Sequence, residues 1–269
     1  GATLVVAPMD AHGEVHLEAA VSLMGPRTKI FACAHVSNAL GTVLPVKRLI
    51  AAAKARGIVT VIDGAQAVSH MPVDVQDLGC DFYAFSGHKM YGPTGVGVLY
   101  GREQLLDRMP PWQGGGEMIL AVTFAKTTYN ALPNKFEAGT PNISGTVGLG
   151  AAVDFLSQLD LQAARAHESA LLHHATAALS KLPGLRIIGN APDKASLVSF
   201  VVAGVHPHDL GTILDEDGIA VRTGHHCAMP VMDFFKLPAT ARASFAFYNT
   251  FDEIDRLAAG IERARKLFT

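Results

Sequence analysis

The stretch Val59-Thr-Val-Ile-Asp-Gly-Ala-Gln66 decides how the rest of the chain is read. Its apolar and β-branched run stops at an Asp-Gly pair, the pattern of a short buried strand ending in a turn. Upstream, Pro45 opens a basic, Ala-rich helix with Val46, Leu49, Ile50 and Ala53 on one face, and Gly57 closes it. Residues 29–35 read as another buried strand, and so do residues 3–7. Between those two, Val15, Leu17, Ala20, Val21 and Met24 suit one face of a helix. Downstream, residues 81–85 and 96–100 add two more strands, the second after a Gly/Pro turn. Strands alternating with helices at this spacing predict an α/β fold: a mainly parallel sheet with helices on both faces.

Beyond Gly101 the pattern loosens into a long connection holding Pro110-Pro111, Gly114–Gly116, Pro133 and the only tryptophan, Trp112. A helical region follows from about residue 145 to 182, interrupted near Asp160 and closed by Pro183-Gly184. The remainder reads as a smaller α+β unit, with strands at 197–202, 219–222 and 242–247 and helices near 209–217 and 252–268. A length of 269 residues fits two domains at ~150 residues each. The expected division is a large domain over residues 1–155 and a small C-terminal domain over 156–269.

Composition excludes several classes. With 49% hydrophobic and 17% charged residues, the chain can bury a substantial core, so disorder is ruled out. A net charge of −2 gives no electrostatic case for nucleic acid or an anionic membrane surface. Mean hydropathy is positive, yet the apolar runs are strand-sized and far below the ~20 residues of a membrane span. Three cysteines, an odd and sparse set, suit a reducing cytosol better than a disulfide framework.

Three clusters carry chemistry. Asp63 ends a strand, and in open α/β sheets the strand C-termini line the ligand crevice; the plain alternative is a helix cap. In Phe85-Ser-Gly-His-Lys-Met-Tyr-Gly92, Lys89 also follows a strand end. Alone, it would be a lysine snorkelling to solvent. Together with Asp63 it suits a Schiff base to pyridoxal phosphate whose ring nitrogen an Asp keeps protonated, with Ser86 and His88 as phosphate contacts. The third cluster is Val221-Arg-Thr-Gly-His-His-Cys-Ala-Met-Pro230. Adjacent His225, His226 and Cys227 cannot easily converge on one tetrahedral ion, so no metal is expected. A cysteine flanked by histidines suits a reactive thiol, because nearby imidazolium lowers a thiol pKa. Cys33 and Cys80, in apolar surroundings, read as inert. Arg242, at a strand start, can clamp a carboxylate or form a surface ion pair.

Asp63-Gly-Ala-Gln66, Ser86-Gly-His-Lys89, Arg222-Thr-Gly-His-His-Cys227 and Arg242-Ala-Ser244 resemble the SUF-type (group II) cysteine desulfurases and selenocysteine lyases. These are class V aminotransferase-like, fold-type I pyridoxal-phosphate enzymes. Ala34-His-Val-Ser-Asn-Ala-Leu-Gly-Thr42, Tyr91-Gly-Pro-Thr-Gly95, Pro110-Pro-Trp-Gln-Gly-Gly-Gly116 and Phe136-Glu-Ala-Gly-Thr-Pro-Asn142 are similar to family segments in the same order. The resemblance therefore covers essentially the whole chain. Its most discriminating element is the Arg-Thr-Gly-His-His-Cys loop.

The resemblance implies a role for each residue. Lys89 carries the cofactor and moves the Cα proton, Asp63 pairs with the ring nitrogen, and Gln66 contacts the phenolate oxygen. Ser86 and His88 bind phosphate. Asn38 contacts the cofactor or the substrate carboxylate region. Arg242 holds the carboxylate, Arg222 lies on the approach, and Cys227 is the nucleophile. Gly139 and Thr140 would reach a neighbouring subunit's phosphate, which implies a homodimer. The implied reaction turns L-cysteine into L-alanine and a persulfide on Cys227, supplying sulfur to an acceptor protein for iron-sulfur cluster assembly. L-Selenocysteine is a second implied substrate, and the cytoplasm the implied location. Family members begin far earlier than Gly1, so the resemblance also implies a chain lacking the family's N-terminal part. The competing readings are another pyridoxal-phosphate aminotransferase or β-lyase with Cys227 incidental, and an inactive remnant acting as a binding module.

Overall fold

Short strands with alternating side chains build the first sheet of the computed structural model, which describes residues 1–268. In chain order this half contains α1 (Leu17–Ser22), β1 (Ile30–Ala34), α2 (Val46–Lys54), β2 (Val59–Asp63), α3 (Val75–Leu78), β3 (Phe82–Ser86), β4 (Gly97–Gly101) and α4 (Glu103–Arg108). The sheet order is β1-β2-β3-β4. The β1–β2 and β2–β3 pairs are parallel, and β4 returns antiparallel to β3. The register aligns Cys33, Ile62, Tyr83 and Tyr100 in one row. With Val46 and Ile50 of α2 and Leu78 of α3, that row forms a buried cluster. Ala34, Asp63, Ala84 and Leu99 form the neighbouring row, which points to the opposite face. This face is more open: Leu99 is 58% exposed.

The α2 expectation holds residue for residue, since Val46, Leu49, Ile50 and Ala53 are its buried positions. Residues 3–7 depart from expectation. They form no strand, and Leu4 is 87% exposed. An apolar run alone does not make a strand when no partner edge receives it, because each strand needs a ladder for its backbone polar groups.

The second half contains β5 (Ile119–Val122), β6 (Thr127–Tyr129), α5 (Ile143–Ser157), α6 (Leu161–Leu179), β7 (Leu185–Ile188), β8 (Leu197–Val202), α7 (Pro207–Glu216), β9 (Arg222–Gly224), α8 (Met229–Phe235), β10 (Thr240–Ser244) and α9 (Phe251–Lys266). The break near Asp160 is a helix start: its carboxylate accepts from the Gln162 and Ala163 amides at the head of α6. Thr250 and Glu253 form a reciprocal capping box on α9. The sheet order is β7-β8-β10-β9, and every pair is antiparallel. Val198, Phe200 and Val202 of β8 and Ala241 and Ala243 of β10 pack against Leu171 and Leu179 of α6 and Ile254, Leu257 and Ile261 of α9. Each such large side chain contributes about 2 kcal/mol by leaving water.

The other face of this sheet meets the loop after β1. Val201 of β8 joins Ala39, Leu40 and Ile188 in a separate cluster. The strand expected at 219–222 lies further along, at Arg222–Gly224. The β5–β6 hairpin forms within the connection that carried no clear pattern. Among the described residues no helix is long and apolar enough to cross a membrane.

Candidate active site

Parallel pairing brings the C-terminal ends of β2 and β3 side by side. Asp63 is paired with Ala84, so Ser86, two residues on, shares its face of the sheet. One carboxylate oxygen of Asp63 accepts from the Ala65 amide at 2.9 Å and closes a turn; Asp63 caps no helix, since the next one, α3, starts at Val75 and is capped by Asp74. Among the described residues the Asp63 side chain has no ion-pair partner, and neither has Lys89. A single turn of 3-10 helix, Gly87–Lys89, places Lys89 directly beyond β3, half-buried, with His88 exposed beside it. Gln66 stands half-buried in the turn after Asp63. That turn is fixed from beneath. Gly64 lies so close to Tyr83 that a Cβ there would come within 1.9 Å of the ring. The buried Tyr83 hydroxyl is in turn 3.0 Å from His35 Nδ1.

The loop after β1 links this edge to the second sheet. Arg242 Nη1 donates to the Asn38 carbonyl at 2.6 Å. Ser199, the register partner of Arg242, donates through its hydroxyl to the next carbonyl, that of Ala39. One rung of the second sheet, shared by β10 and β8, thus grips consecutive carbonyls of the loop. The Asn38 side chain donates through Nδ2 to the His226 carbonyl at 2.5 Å. Among the described residues, buried Arg242 Nε has no hydrogen-bond partner. A buried unpaired donor is costly, so an arriving anion has a ready partner there.

The cysteine loop meets Asn38 from the other side. Cys227 is exposed, and Arg222 Nη2 lies 3.7 Å from its Sγ. His226 is buried, with Nε2 2.8 Å from Thr240 Oγ1. Burial, assisted by Arg242 and Arg222, pushes its pKa down to about 4. At neutral pH His226 is therefore uncharged, and the expectation of an activating imidazolium at this position is corrected. Arg222 is the cation in contact with the sulfur. Cys33 behaves as expected for an inert thiol: burial pushes its pKa up to about 12. Cys80 is buried, and its pKa is raised for the same reason.

The structure links Arg242, Asn38 and the His226 carbonyl by hydrogen bonds and sets Arg222 beside Cys227, the residue after His226. Asp63, Gln66, Ser86, His88 and Lys89 lie together along the strand ends of the first sheet. Gly139 and Thr140 stand apart. Gly139 donates its amide to the Gly116 carbonyl at 2.9 Å, and Thr140 is exposed. Sequence reasoning passed over Thr240, Ser199, Tyr83 and His35, which hold the named residues in place. For Thr240 a clue existed: it precedes Arg242 by two residues, the spacing that puts two strand side chains on one face.

Residues 1–257 match the family model for aminotransferase class-V. The chain is 53% identical to the cysteine desulfurase of Synechococcus elongatus over 98% of its own length and 42% of that protein's. It is 49% identical to the cysteine desulfurase of Yersinia pestis, covering 99% of this chain and 66% of the relative. It thus spans about two-fifths to two-thirds of the length of these curated relatives. Among solved structures, the Escherichia coli cysteine desulfurase CsdA superposes with a TM-score of 0.94 at 43% identity, covering 98% of this chain and 66% of that one. Sheet order, strand-end site and sequence likeness agree: the chain belongs to the aminotransferase class-V family, with the fold-type I α/β architecture.

Proposed function

We propose that this protein is a pyridoxal-phosphate-dependent cysteine desulfurase. The observation that carries the reading is the exposed Cys227 thiol, held beside a guanidinium on a loop hydrogen-bonded to the Asn38–Arg242 pair. A transaminase has no use for a nucleophilic sulfur in that position. The residues present also fit the cofactor. Asp63 offers a carboxylate without an internal cation, Lys89 an amine without an internal acceptor, and Ser86 and His88 polar groups at the adjoining strand end. We take residues 1–155 as the cofactor-binding unit and residues 156–269 as the unit bearing the sulfur chemistry.

Pyridoxal phosphate, when bound, supplies an electron-withdrawing ring that stabilises negative charge at the substrate Cα. Asp63 would hold the ring nitrogen, Gln66 the phenolate oxygen, and Ser86 and His88 the phosphate. Lys89 Nζ would hold the cofactor and move the Cα proton. Asn38 and Arg242 orient the substrate carboxylate, with Arg242 Nε gaining the partner it lacks. Arg222 stands where the thiolate of Cys227 needs a counter-charge. In the net reaction a bond forms between Cys227 Sγ and the substrate sulfur, and the substrate C–S bond breaks. L-Cysteine and the Cys227 thiol become L-alanine and a Cys227 persulfide. L-Selenocysteine fits the same chemistry, because a C–Se bond breaks more easily. The persulfide then passes to an acceptor thiol, placing the protein in cytoplasmic iron-sulfur cluster assembly as a homodimer, with Gly139 and Thr140 facing the partner's cofactor. In support of the cofactor assignment, a related cystine C-S lyase, 26% identical with a TM-score of 0.78, has been solved with glycine covalently linked to pyridoxal phosphate.

The test is alanine production from L-cysteine with pyridoxal phosphate and a thiol reductant. Cys227→Ala should lower the rate by about 100-fold or more, as expected for loss of a covalent nucleophile, with cofactor binding unchanged. A rate unaffected by that substitution would make the protein a lyase or aminotransferase of the same fold.

A further inference from the structure

The sulfur chemistry uses Cys227 and leaves its neighbour His226 without a part. His226 is nonetheless the buried residue of the loop, 2% exposed between an exposed His225 and an exposed Cys227. It is tied at two points: its ring to Thr240 Oγ1 at 2.8 Å, its carbonyl to Asn38 Nδ2 at 2.5 Å. Thr240 is fully buried, and among the described residues this imidazole is the partner of its hydroxyl.

The backbone explains why such anchoring is needed. His226 and Cys227 have φ of +53° and +58°, consecutive left-handed residues without glycine. Each costs roughly 1–2 kcal/mol, and such conformations persist only where surrounding contacts over-determine them. Cys227 cannot supply those contacts, since its side chain is exposed and its hydrogen-bond partner among the described residues is the exposed Arg222. The ring of His226 works as a neutral wedge, because burial and the two neighbouring guanidinium groups keep it unprotonated at neutral pH.

Resting on the desulfurase reading, we propose that His226 is a positioning residue, whose bonds to Thr240 and Asn38 hold Cys227 in its left-handed turn beside Arg222. The anchor is closed on itself. Thr240 and Arg242 lie on the same face of β10, Arg242 holds the Asn38 carbonyl, and Asn38 holds the His226 carbonyl. A substrate carboxylate taken up by Arg242 would therefore contact the same network that fixes the nucleophile.

The experiment compares wild type, His226→Ala, His226→Gln and Thr240→Val, each loaded with pyridoxal phosphate. Displacing a reacting atom by about 1 Å can cost 100-fold in rate, so His226→Ala should lower kcat for alanine formation by about that factor. KM for L-cysteine should stay within roughly threefold, because Arg242 is untouched. His226→Gln, whose amide can reach Thr240, should recover most of kcat. Backbone amide exchange over residues 222–232 should accelerate by at least about tenfold in His226→Ala and Thr240→Val, the mark of a locally opened turn. Unchanged exchange in both variants would overturn the proposal, as would unchanged kcat in His226→Ala. The exchange measurement does not depend on turnover. A wild type that makes no alanine would sink the desulfurase reading, while faster exchange would still assign His226 its structural hold on Cys227.

Discussion

The two halves of the candidate site are built in opposite ways. Along the first sheet, Asp63 and Lys89 project from strand ends with no internal ion pair, on an open face. Around the second sheet, Arg242, Asn38, His226 and Thr240 are joined into a closed set of short hydrogen bonds before any ligand arrives. The first half leaves its charged groups for something to be bound. The second is organised in advance around the exposed Cys227 thiol. Pre-organisation matters most where a bond must form along a defined direction, and least where a large ligand brings its own contacts.

The largest effect should come from the open half. Lys89→Ala should lower alanine formation by at least about 10³-fold, in keeping with loss of an acid–base group. Borohydride reduction followed by intact-mass measurement should show pyridoxal fixed to wild type and not to the variant. Beneath that half, Gly64→Ala should destabilise the fold by about 3 kcal/mol, because the new methyl meets the Tyr83 ring. Thermal or urea unfolding would measure it, and a stable variant would show that the Asp63 turn is less constrained than its geometry indicates.

In the closed half, Arg242→Lys keeps the charge and loses the fork. It should raise KM for L-cysteine by roughly 10–100-fold with a smaller change in kcat. Equal falls in kcat and kcat/KM would instead place Arg242 in the chemical step. The remaining effect is on pH dependence. The His226 ring titrates at about 4 in the folded protein and near its ordinary value of 6.5 when unfolded. Between those values the unfolded chain binds more protons, so stability falls as the pH drops through this window. The loss across this window should be about 3 kcal/mol, and a His226→Gln protein should lack it in pH-dependent unfolding curves.

The sequence made the first half legible and left most of the second hidden. Asp63, Ser86 and Lys89 sit at strand ends, and strand ends can be located from apolar runs and the turns that stop them. The second half depends on contacts across large separations, such as Asn38 with His226 and Ser199 with Ala39. No local pattern encodes these contacts. The charge state of His226 is hidden for the same reason: its place beside Cys227 suggests an activating imidazolium, whereas burial against two arginines keeps it neutral. Residues 3–7 failed differently, since apolar character indicates only that a segment favours burial and not that a partner strand awaits it.

Strand β10 ties the candidate site to folding through its frame of alternation. Ala241 and Ala243 face the helical core, while Thr240 and Arg242 face the Asn38 loop. Slippage by one residue against β8 would exchange the two sets, pressing a guanidinium into Phe200 and Leu257 and turning methyl groups toward the substrate. A misthreaded strand would therefore be rejected by the core before it could yield a folded but inactive protein. Deleting or inserting a single residue just ahead of Thr240 should consequently abolish soluble expression rather than give an enzyme with altered specificity.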